Sequence, residues 1–266
     1  MDFTKYQALG NDYLLLDPGP PLTPAAVRLL CDRRLGVGAD GVLLLDGPVD
    51  VDRPVAVRTV NADGSPCARS ANGVRMVGLH LAGLHPGTAR FTVATPAGES
   101  AVEVTDAAAG LVSVGLGPAA VSPPRPLAVA GAGFDMSFVD NGNPHAVLFL
   151  PEVGAGVAHE HGEAVAASFP GRANVQFVHV LGPDRLRVEV YERGAGYTPA
   201  SGASACAAAS AAHARGLTGG RVAVLMPGGS VAVEVGGDGV RMAGEVRKVF
   251  EGRISAALRR ALEEVR

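Results

Sequence analysis

The sequence predicts an α+β fold of two pseudo-symmetric halves, in each of which strands wrap around one buried central helix. An internal repeat is the first observation: Ser70 stands just ahead of an apolar helix, and Ser201 does so again in the second half. The same spacing carries residues 96–98 (Pro-Ala-Gly) onto residues 227–229 (Pro-Gly-Gly). The second observation is that the helix after Ser70 is apolar on every face, which is typical of a helix buried all round.

The elements of the first half follow from local patterns. Alternating or short apolar runs predict strands, and Thr23 followed by Pro24 predicts the start of a helix. In chain order we expect strands at 3–5 and 13–17 around a turn at 10–12, a helix to about 34, strands at 42–45 and 55–60, the buried helix at 72–84, and strands at 90–94, 100–104 and 111–115.

The second half repeats this order. We expect a strand at 146–150, a helix at 157–169, further strands, and a helix at 204–215 that is mostly alanine and has Gly216 as its C-cap. The Pro-rich stretch 121–126 predicts the link between the halves. A final helix, 254–265, has one apolar stripe and packs back on the first half. The expected halves are therefore 1–122 with 253–266, and 123–252.

Composition excludes several classes of function. The formal net charge is −3, so no basic field favours a nucleic acid. The chain shows neither an apolar run of membrane-spanning length nor a signal-peptide pattern, so we expect no membrane and a cytoplasmic location. The three cysteines lack the spacing of a metal site, so we expect no metal. Only Lys5 and Lys248 are available for a pyridoxal phosphate Schiff base, and neither lies in a convincing site.

Residues 36–41 match the pattern G-x-G-x-x-G of dinucleotide-binding proteins. That fingerprint follows a strand and opens a helix. Here the predicted helix precedes the glycines and a strand follows them, so we do not expect nucleotide binding.

The two junctions between a serine and a helix are stronger candidates for a site. The start of a helix presents unpaired N–H groups and the positive end of its dipole, which suits a carboxylate. Two equivalent helix starts in a pseudo-twofold structure can approach one anion from two sides. The alternative is that Ser70 and Ser201 only cap their helices, as serines commonly do.

Other polar residues can also be interpreted either as site residues or as residues with a purely structural role. The asparagines lie mostly in glycine-containing turns or at strand ends, where turn chemistry alone explains them. Glu192 and Arg193 are either site residues or a surface ion pair, and His145 is either a general acid/base or a turn histidine.

Six segments together resemble the diaminopimelate epimerase family along nearly the whole chain: residues 10–12, 61–65, 72–75, 142–145, 173–175 and 192–196. The resemblance implies two similar domains with the ligand in the cleft between them, a fold shared with proline racemases and phenazine-pathway isomerases. It also implies catalysis without a cofactor, and we expect an amino-acid-like small molecule and a second copy of the chain as partners.

The resemblance implies a role for each matching residue. It implies that four residues bind the distal carboxylate and the amino-acid end of the family's substrate: Asn61, Asn143, Asn174 and Arg193. Glu192 and His145 are implied to hold the reacting ammonium group and to support the acid/base pair. Further substrate-lining positions are Asn11, Ala71, Asn72, Gly73, Tyr197, Gly202 and Ala203.

The chain departs from the family at its two bases. The family has a cysteine on each face of the α-carbon, and this chain has Ser70 and Ser201 there. Neighbouring positions differ too, with Ala71 for glycine, Ala203 for threonine and Tyr197 for glutamate. A serine hydroxyl is a far weaker acid than a thiol, and about four pKa units correspond to about 5–6 kcal/mol, or roughly 10⁴-fold in rate.

Four hypotheses follow, and they stay open at this point. The first is an epimerase-like isomerase whose substrate, an amino acid resembling a diamino-dicarboxylate, has an easily ionised C–H bond. The second is a repurposed family member that performs elimination, tautomerisation or cyclisation in a specialised biosynthetic pathway. The third is an amino-acid binder without catalysis, and the fourth is an engineered Cys-to-Ser variant. The changes at Ala71, Ala203 and Tyr197 argue against the fourth, because an engineered trap would alter the bases alone.

Overall fold

A computed structural model describes residues 1–18, 21–47, 49–154 and 156–265. The chain divides into two compact units: unit 1 is Met1–Val114 with Glu245–Arg266, and unit 2 is Gly115–Gly244. The boundaries expected from the sequence, after residues 122 and 252, lie a few residues further along the chain. No helix among the described residues is long and apolar enough to cross a membrane.

The described helices are α1 (Pro24–Cys31), α2 (Ala71–Leu84), α3 (Val157–Ala167), α4 (Gly202–Ala214) and α5 (Ala256–Glu264). The strands up to the first boundary are β1 (Asp2–Ala8), β2 (Asn11–Leu16), β3 (Gly41–Leu45), β4 (Val55–Asn61), β5 (Pro66–Cys67), β6 (Arg90–Thr95), β7 (Gly98–Asp106) and β8 (Leu111–Gly117). The later strands are β9 (Ala120–Val121), β10 (Arg125–Val129), β11 (Ala132–Asp140), β12 (Pro144–Phe149), β13 (Asn174–Gly182), β14 (Arg185–Glu192), β15 (Gly196–Thr198), β16 (Arg221–Met226), β17 (Gly229–Gly236), β18 (Gly239–Glu245) and β19 (Arg247–Arg253).

The strand pairing of unit 1 is repeated in unit 2. In unit 1, β1 pairs with β2 in antiparallel fashion, while β2 with β3 and β4 with β6 are parallel pairs that enclose α1 and α2 in the chain. In unit 2, β11 with β12 is the antiparallel pair, and β12 with β13 and β14 with β16 are the parallel pairs that enclose α3 and α4. Parallel neighbours require such crossover connections. The predicted α+β fold with an internal duplication is confirmed.

Each unit is built around one buried helix. The helix α2 packs against β1, β2, β6 and β7, and its residues are buried from Asn72 to Gly78. The helix α4 packs against strands of unit 2, among them β11, β13 and β17, and nearly all of its residues are buried. Because α4 is mostly alanine, its strands approach closely on every side. These helices begin directly after Ser70 and Ser201, so the core of each unit fixes the position of its serine.

Two local predictions need correction. The first helix, α1, ends at Cys31 rather than near residue 34, because the Asp32 carboxylate accepts hydrogen bonds from the backbone N–H groups of Arg34 and Leu35 (2.7 Å each). A side chain that binds its own backbone competes with helix continuation. The Pro-rich segment is not simply a link, because β9 and β10, which overlap it, both pair with β11.

The G-x-G-x-x-G segment lies between α1 and β3, in the predicted order of helix first and strand second. Its first glycine is required by packing. A Cβ atom on Gly36 would lie 2.0 Å from the carbonyl oxygen of Leu29. This glycine therefore serves close contact with α1.

Two glycines of α2 offer a matched test of how tightly the buried helix is packed. A Cβ atom on Gly78 would lie 2.4 Å from a methyl carbon of Val102, whereas one on Gly83 would meet nothing within 4 Å. We expect Gly78→Ala to lower the free energy of unfolding by about 1–3 kcal/mol through overpacking. Gly83→Ala should raise it by up to about 1 kcal/mol, because alanine favours the helix. Urea unfolding checks both values, and equal effects would contradict the packing of α2 described above.

Candidate active site

Ser70 forms the N-cap of α2. Its backbone is extended (φ −108°, ψ 116°), and its Oγ accepts a hydrogen bond from the Gly73 backbone N–H (3.1 Å). The side chain is half-buried. Capping therefore accounts for the serine's local geometry.

A chain of hydrogen bonds fixes the amides beside Ser70. Asn11 donates to a carboxylate oxygen of Asp40 (3.0 Å) and accepts from the amide of Asn72 (3.3 Å). The carbonyl of Asn72 accepts in turn from the guanidinium of Arg75 (2.7 Å), which is fully buried. Asn61 lies outside this chain and donates from its amide to Ser65 Oγ (3.0 Å). Unit 1 thus brings Asn11 and Asn72 together in one rigid network.

The first turn of α2 requires small residues. Ala71 is its first residue and is half-buried. A Cβ atom on Gly73 would lie 2.8 Å from a methyl carbon of Leu43 and 3.2 Å from Ser70 Cβ. Gly73 is therefore needed for α2 to begin this close to β3.

Ser201 forms the N-cap of α4 and is placed beside a carboxyl group. Its Oγ accepts a long hydrogen bond from the Ser204 backbone N–H (3.4 Å), and the residue is 8% exposed. Burial raises the pKa of the Glu192 carboxyl, and a hydrogen bond with Ser201 acts in the opposite direction. Unit 2 therefore pairs its serine with a candidate base, which a hydroxyl needs in order to act as a nucleophile or proton acceptor.

The two faces of β14 carry different groups. Tyr191 lies directly opposite Tyr197 across the β14–β15 pair, and its hydroxyl donates to Glu163 of α3 (2.7 Å). Successive side chains of a strand point to opposite faces, so Glu192 faces α4. The Tyr197 ring stacks on His159 of α3, with ring centroids 4.1 Å apart. The structure thus places Tyr197 on the face opposite to Glu192, and its predicted substrate contact stays a prediction.

Arg193 is hydrogen-bonded to two of the three asparagines of unit 2, Asn143 and Asn174. Its guanidinium donates to Asn143 Oδ1 (3.3 Å), and its backbone N–H donates to Asn174 Oδ1 (3.2 Å). Because both amide carbonyls are occupied by Arg193, the groups left for a ligand are the amide N–H donors and the rest of the guanidinium. Such a set of donors suits an anion, and a guanidinium matches a carboxylate in particular.

His145 lies beside this cluster and is completely buried. It stands opposite Asn174 in the parallel pairing of β12 with β13. Burial lowers the pKa of His145 to about 4, although Gln176 and Asp140 act to raise it, and Arg193 adds to the lowering. The imidazole is therefore neutral near pH 7. Neither ring nitrogen has a hydrogen-bond partner within geometric limits among the described residues.

Three residues near the site were missed from the sequence. The Gln176 amide donates to Ser204 Oγ (2.9 Å), and both residues are fully buried. The Asn141 amide donates to the carbonyl oxygen of Ala203 (3.1 Å), in the first turn of α4 after Gly202. The available signal was a polar residue at an otherwise apolar position, such as Gln176 between Val175 and Phe177.

The lowered pKa of His145 predicts a loss of stability in acid. The unfolded chain protonates histidine near pH 6.5, whereas the folded state resists protonation until about pH 4. Stability is therefore full above pH 6.5 and falls by up to about 3 kcal/mol as the pH drops to 4. His145→Gln should remove this part of the decline in urea unfolding at pH 7, 5.5 and 4. An unchanged decline would contradict the buried neutral imidazole.

The fold matches solved racemases, epimerases and isomerases. A hydroxyproline epimerase from Agrobacterium vitis, solved with bound trans-4-hydroxy-L-proline, aligns with a TM-score of 0.72 at 15% identity, covering 95% of this chain and 91% of the other. A predicted epimerase from Pseudomonas aeruginosa aligns with a TM-score of 0.73 at 17% identity, covering 95% and 98%. These identities show the fold alone. The chain has the fold of the racemase and epimerase class.

Sequence relatives narrow the class to a family. The model of the diaminopimelate epimerase family matches residues 3–121 and 137–249. "Diaminopimelate epimerase 2" of Nostoc sp. is 35% identical over 280 residues, covering 97% of each chain. The diaminopimelate epimerase of Rhodospirillum centenum is 38% identical over 277 residues, covering 96% of this chain and 93% of the relative. The chain belongs to the diaminopimelate epimerase family and is an isomerase.

Proposed function

We propose that this isomerase moves a proton at an activated carbon of an amino acid with a distal carboxylate, without a cofactor. The observation that carries the proposal is the anion-binding cluster around Arg193, adjacent in sequence to Glu192 with its Ser201 partner. One group of unit 2 is thus suited to hold a carboxylate, and a neighbouring group is suited to accept a proton. The relatives' name, diaminopimelate epimerase, supports a diamino-dicarboxylate as the substrate class.

Glu192 supplies the base that a serine hydroxyl needs for proton transfer. A hydroxyl is nearly inert as a base by itself and is activated by an adjacent base. In the proposed step, Ser201 passes its proton to Glu192 as it takes the proton from carbon. The electron pair of the broken C–H bond stays on the substrate, delocalised into the adjacent carbonyl group, until a proton returns. His145 is neutral and belongs to the same unit, so it is a second candidate for holding the proton.

A second candidate function is a tautomerisation performed from one base. Glu192 and His145, the carboxyl and imidazole groups of the predicted site, both belong to unit 2, while the Ser70 hydroxyl of unit 1 accepts a hydrogen bond from a backbone N–H group. A reaction that removes and returns a proton at the same base needs no second one. Elimination and cyclisation have no specific support of this kind.

Hydrogen–deuterium exchange tests the proposed function. Meso- and L,L-diaminopimelate, L-glutamate and L-2-aminoadipate are incubated with the protein in D₂O, and the loss of the α-proton signal is followed by NMR. Calorimetry measures binding of each compound separately. We expect exchange in at least one compound that binds. Binding without exchange in every case would overturn the proposal and favour an amino-acid binder.

Arg193 is expected to anchor the distal carboxylate. Arg193→Lys should weaken binding of the exchanging amino acid by about 1–3 kcal/mol, because an ammonium group cannot copy the planar fork of the guanidinium. This loss corresponds to a dissociation constant that rises about 5- to 150-fold in calorimetry. Arg187→Lys, an exposed arginine of the same strand region, is the matched control and should leave binding unchanged. Unchanged affinity in the Arg193 variant would remove the distal carboxylate from the proposal.

The sequence also predicts a cytoplasmic location and a homodimer, and both stay predictions.

A further inference from the structure

A buried polar pair joins β13 to the start of α4, and the mechanism above does not use it. The Gln176 amide donates to Ser204 Oγ (2.9 Å), and both side chains are 0% exposed. Burying an amide and a hydroxyl is costly unless they are hydrogen-bonded. The bond satisfies one end of the Gln176 side chain, and the other end, Oε1, has no partner within geometric limits among the described residues.

The strand register places Gln176 and His145 on the same face of the sheet. Ala146 and Leu148 of β12, and Val175 and Phe177 of β13, belong to the apolar cluster under α3. Alternation then turns His145 and Gln176 to the opposite face, where Ser204 of α4 lies.

The His145 imidazole and the Gln176 side chain are neighbours on this face. His145 pairs with Asn174, two residues before Gln176 on the adjacent strand, and the Gln176 side chain acts to raise the pKa of His145 against the effect of burial.

We propose that Ser204 and Gln176 are positioning residues that hold His145 as a single neutral tautomer. Ser204 Oγ accepts one N–H of the Gln176 amide, which turns the amide carbonyl toward the imidazole. That carbonyl accepts the one N–H of the neutral ring. The second ring nitrogen, which carries a lone pair, is then left as the proton acceptor. In a neutral histidine, the hydrogen bonds of the two ring nitrogens determine which of them carries the proton.

Ser204 is the group that fixes the amide. It lies in the first turn of α4, three residues after Ser201. A glycine at this position would have no side chain that could hold the Gln176 amide. The serine therefore adds a fixed orientation to a histidine that, in this chain, works beside a weakly acidic hydroxyl rather than a thiol. Only this last step of the inference rests on the proposed function.

The test reads the imidazole directly and needs no substrate. The protein is labelled with ¹⁵N in its histidine rings, and the two ring nitrogens of His145 are assigned by comparison with His145→Gln. The wild-type ring should show one protonated and one unprotonated nitrogen. Gln176→Leu and Ser204→Gly should bring the two nitrogen shifts toward each other, because the ring then samples both tautomers.

Two further variants separate positioning from mere packing. Gln176→Glu should keep a single tautomer and raise the pKa of His145 by about 1–3 units, because a carboxylate beside the ring favours its charged form. Asp140 and Arg193, the other charged groups that influence the ring, are unchanged in this variant. Ser210→Ala is the matched control: Ser210 lies on α4, is 2% exposed, and its hydroxyl contacts no partner among the described residues.

The outcomes decide the proposal. Averaged shifts in Gln176→Leu and Ser204→Gly, with a wild-type spectrum in Ser210→Ala, support it. It is overturned if Gln176→Leu, still folded by circular dichroism, keeps the wild-type shifts, or if Ser210→Ala changes them as much as Ser204→Gly does. Because deuterium exchange into substrate is not measured here, failure of the proposed function leaves this result unaffected.

Discussion

Glu192→Gln is expected to reduce deuterium exchange by about 10²–10⁴-fold, the usual contribution of a positioned general base. The amide keeps the size and some hydrogen bonding of the carboxylate but cannot accept the proton of Ser201. The wild-type rate should also rise with pH as Glu192 ionises, with a midpoint above the usual carboxyl pKa because burial raises it. This rising limb should be absent from the variant when exchange is followed by NMR between pH 4 and 8.

A neighbouring glutamate supplies the control for this prediction. Glu189 lies on the same strand, β14, and burial raises its pKa as well, but alternation turns it to the α3 face, where it interacts with Tyr197. Glu189→Gln should therefore leave the exchange rate close to that of the wild type. Equal losses in the two variants would show that a buried carboxyl matters for the unit's stability and that Glu192 is not the base.

The central helices could be predicted because their signal is local. An apolar surface on every side leaves no solvent-facing stripe, so burial of α2 followed directly from its residues. The predicted end of α1 was wrong for two reasons. The carboxylate of Asp32 accepts a hydrogen bond from the backbone, and the guanidinium of Arg33 forms ion pairs with Asp12 (2.7 Å) and Asp40 (2.8 Å). Both effects depend on conformation rather than on residue type.

The sequence predicts those parts of the candidate site whose residues are adjacent in the chain or match the family's motifs. Glu192 and Arg193 are adjacent, and their cluster with Asn143 was implied by family resemblance. The orientation of Tyr197 depends on the register of a short hairpin, β14 with β15, which residue types do not determine. The bond from Gln176 to Ser204 joins residues of a strand and a helix far apart in the chain, so no local pattern shows it.

The double variant Ser70→Cys/Ser201→Cys is expected to create or greatly increase epimerisation of L,L- and meso-diaminopimelate. Both positions are N-caps, where a helix start lowers the pKa of a thiol and favours the thiolate. About four pKa units separate a serine hydroxyl from a thiol, so the gain can approach 10⁴-fold. NMR exchange in D₂O and chiral chromatography of the products measure it. Ser210→Cys, which adds a buried thiol to the middle of α4, is the control and should give no gain.

The same experiment shows which substitutions reshaped the site. Epimerisation in the double variant would mean that the clamp of Arg193, Asn143 and Asn174 still accepts a diamino-dicarboxylate. Binding without exchange would instead direct attention to Ala71 and Ala203, which lie in the first turns of α2 and α4, directly beside the new thiols. Tyr197 ranks below them, because its ring stacks on His159 on the other face of β14. Restoring glycine at position 71 and threonine at position 203 should then recover exchange, and failure to do so would contradict a diaminopimelate-like substrate.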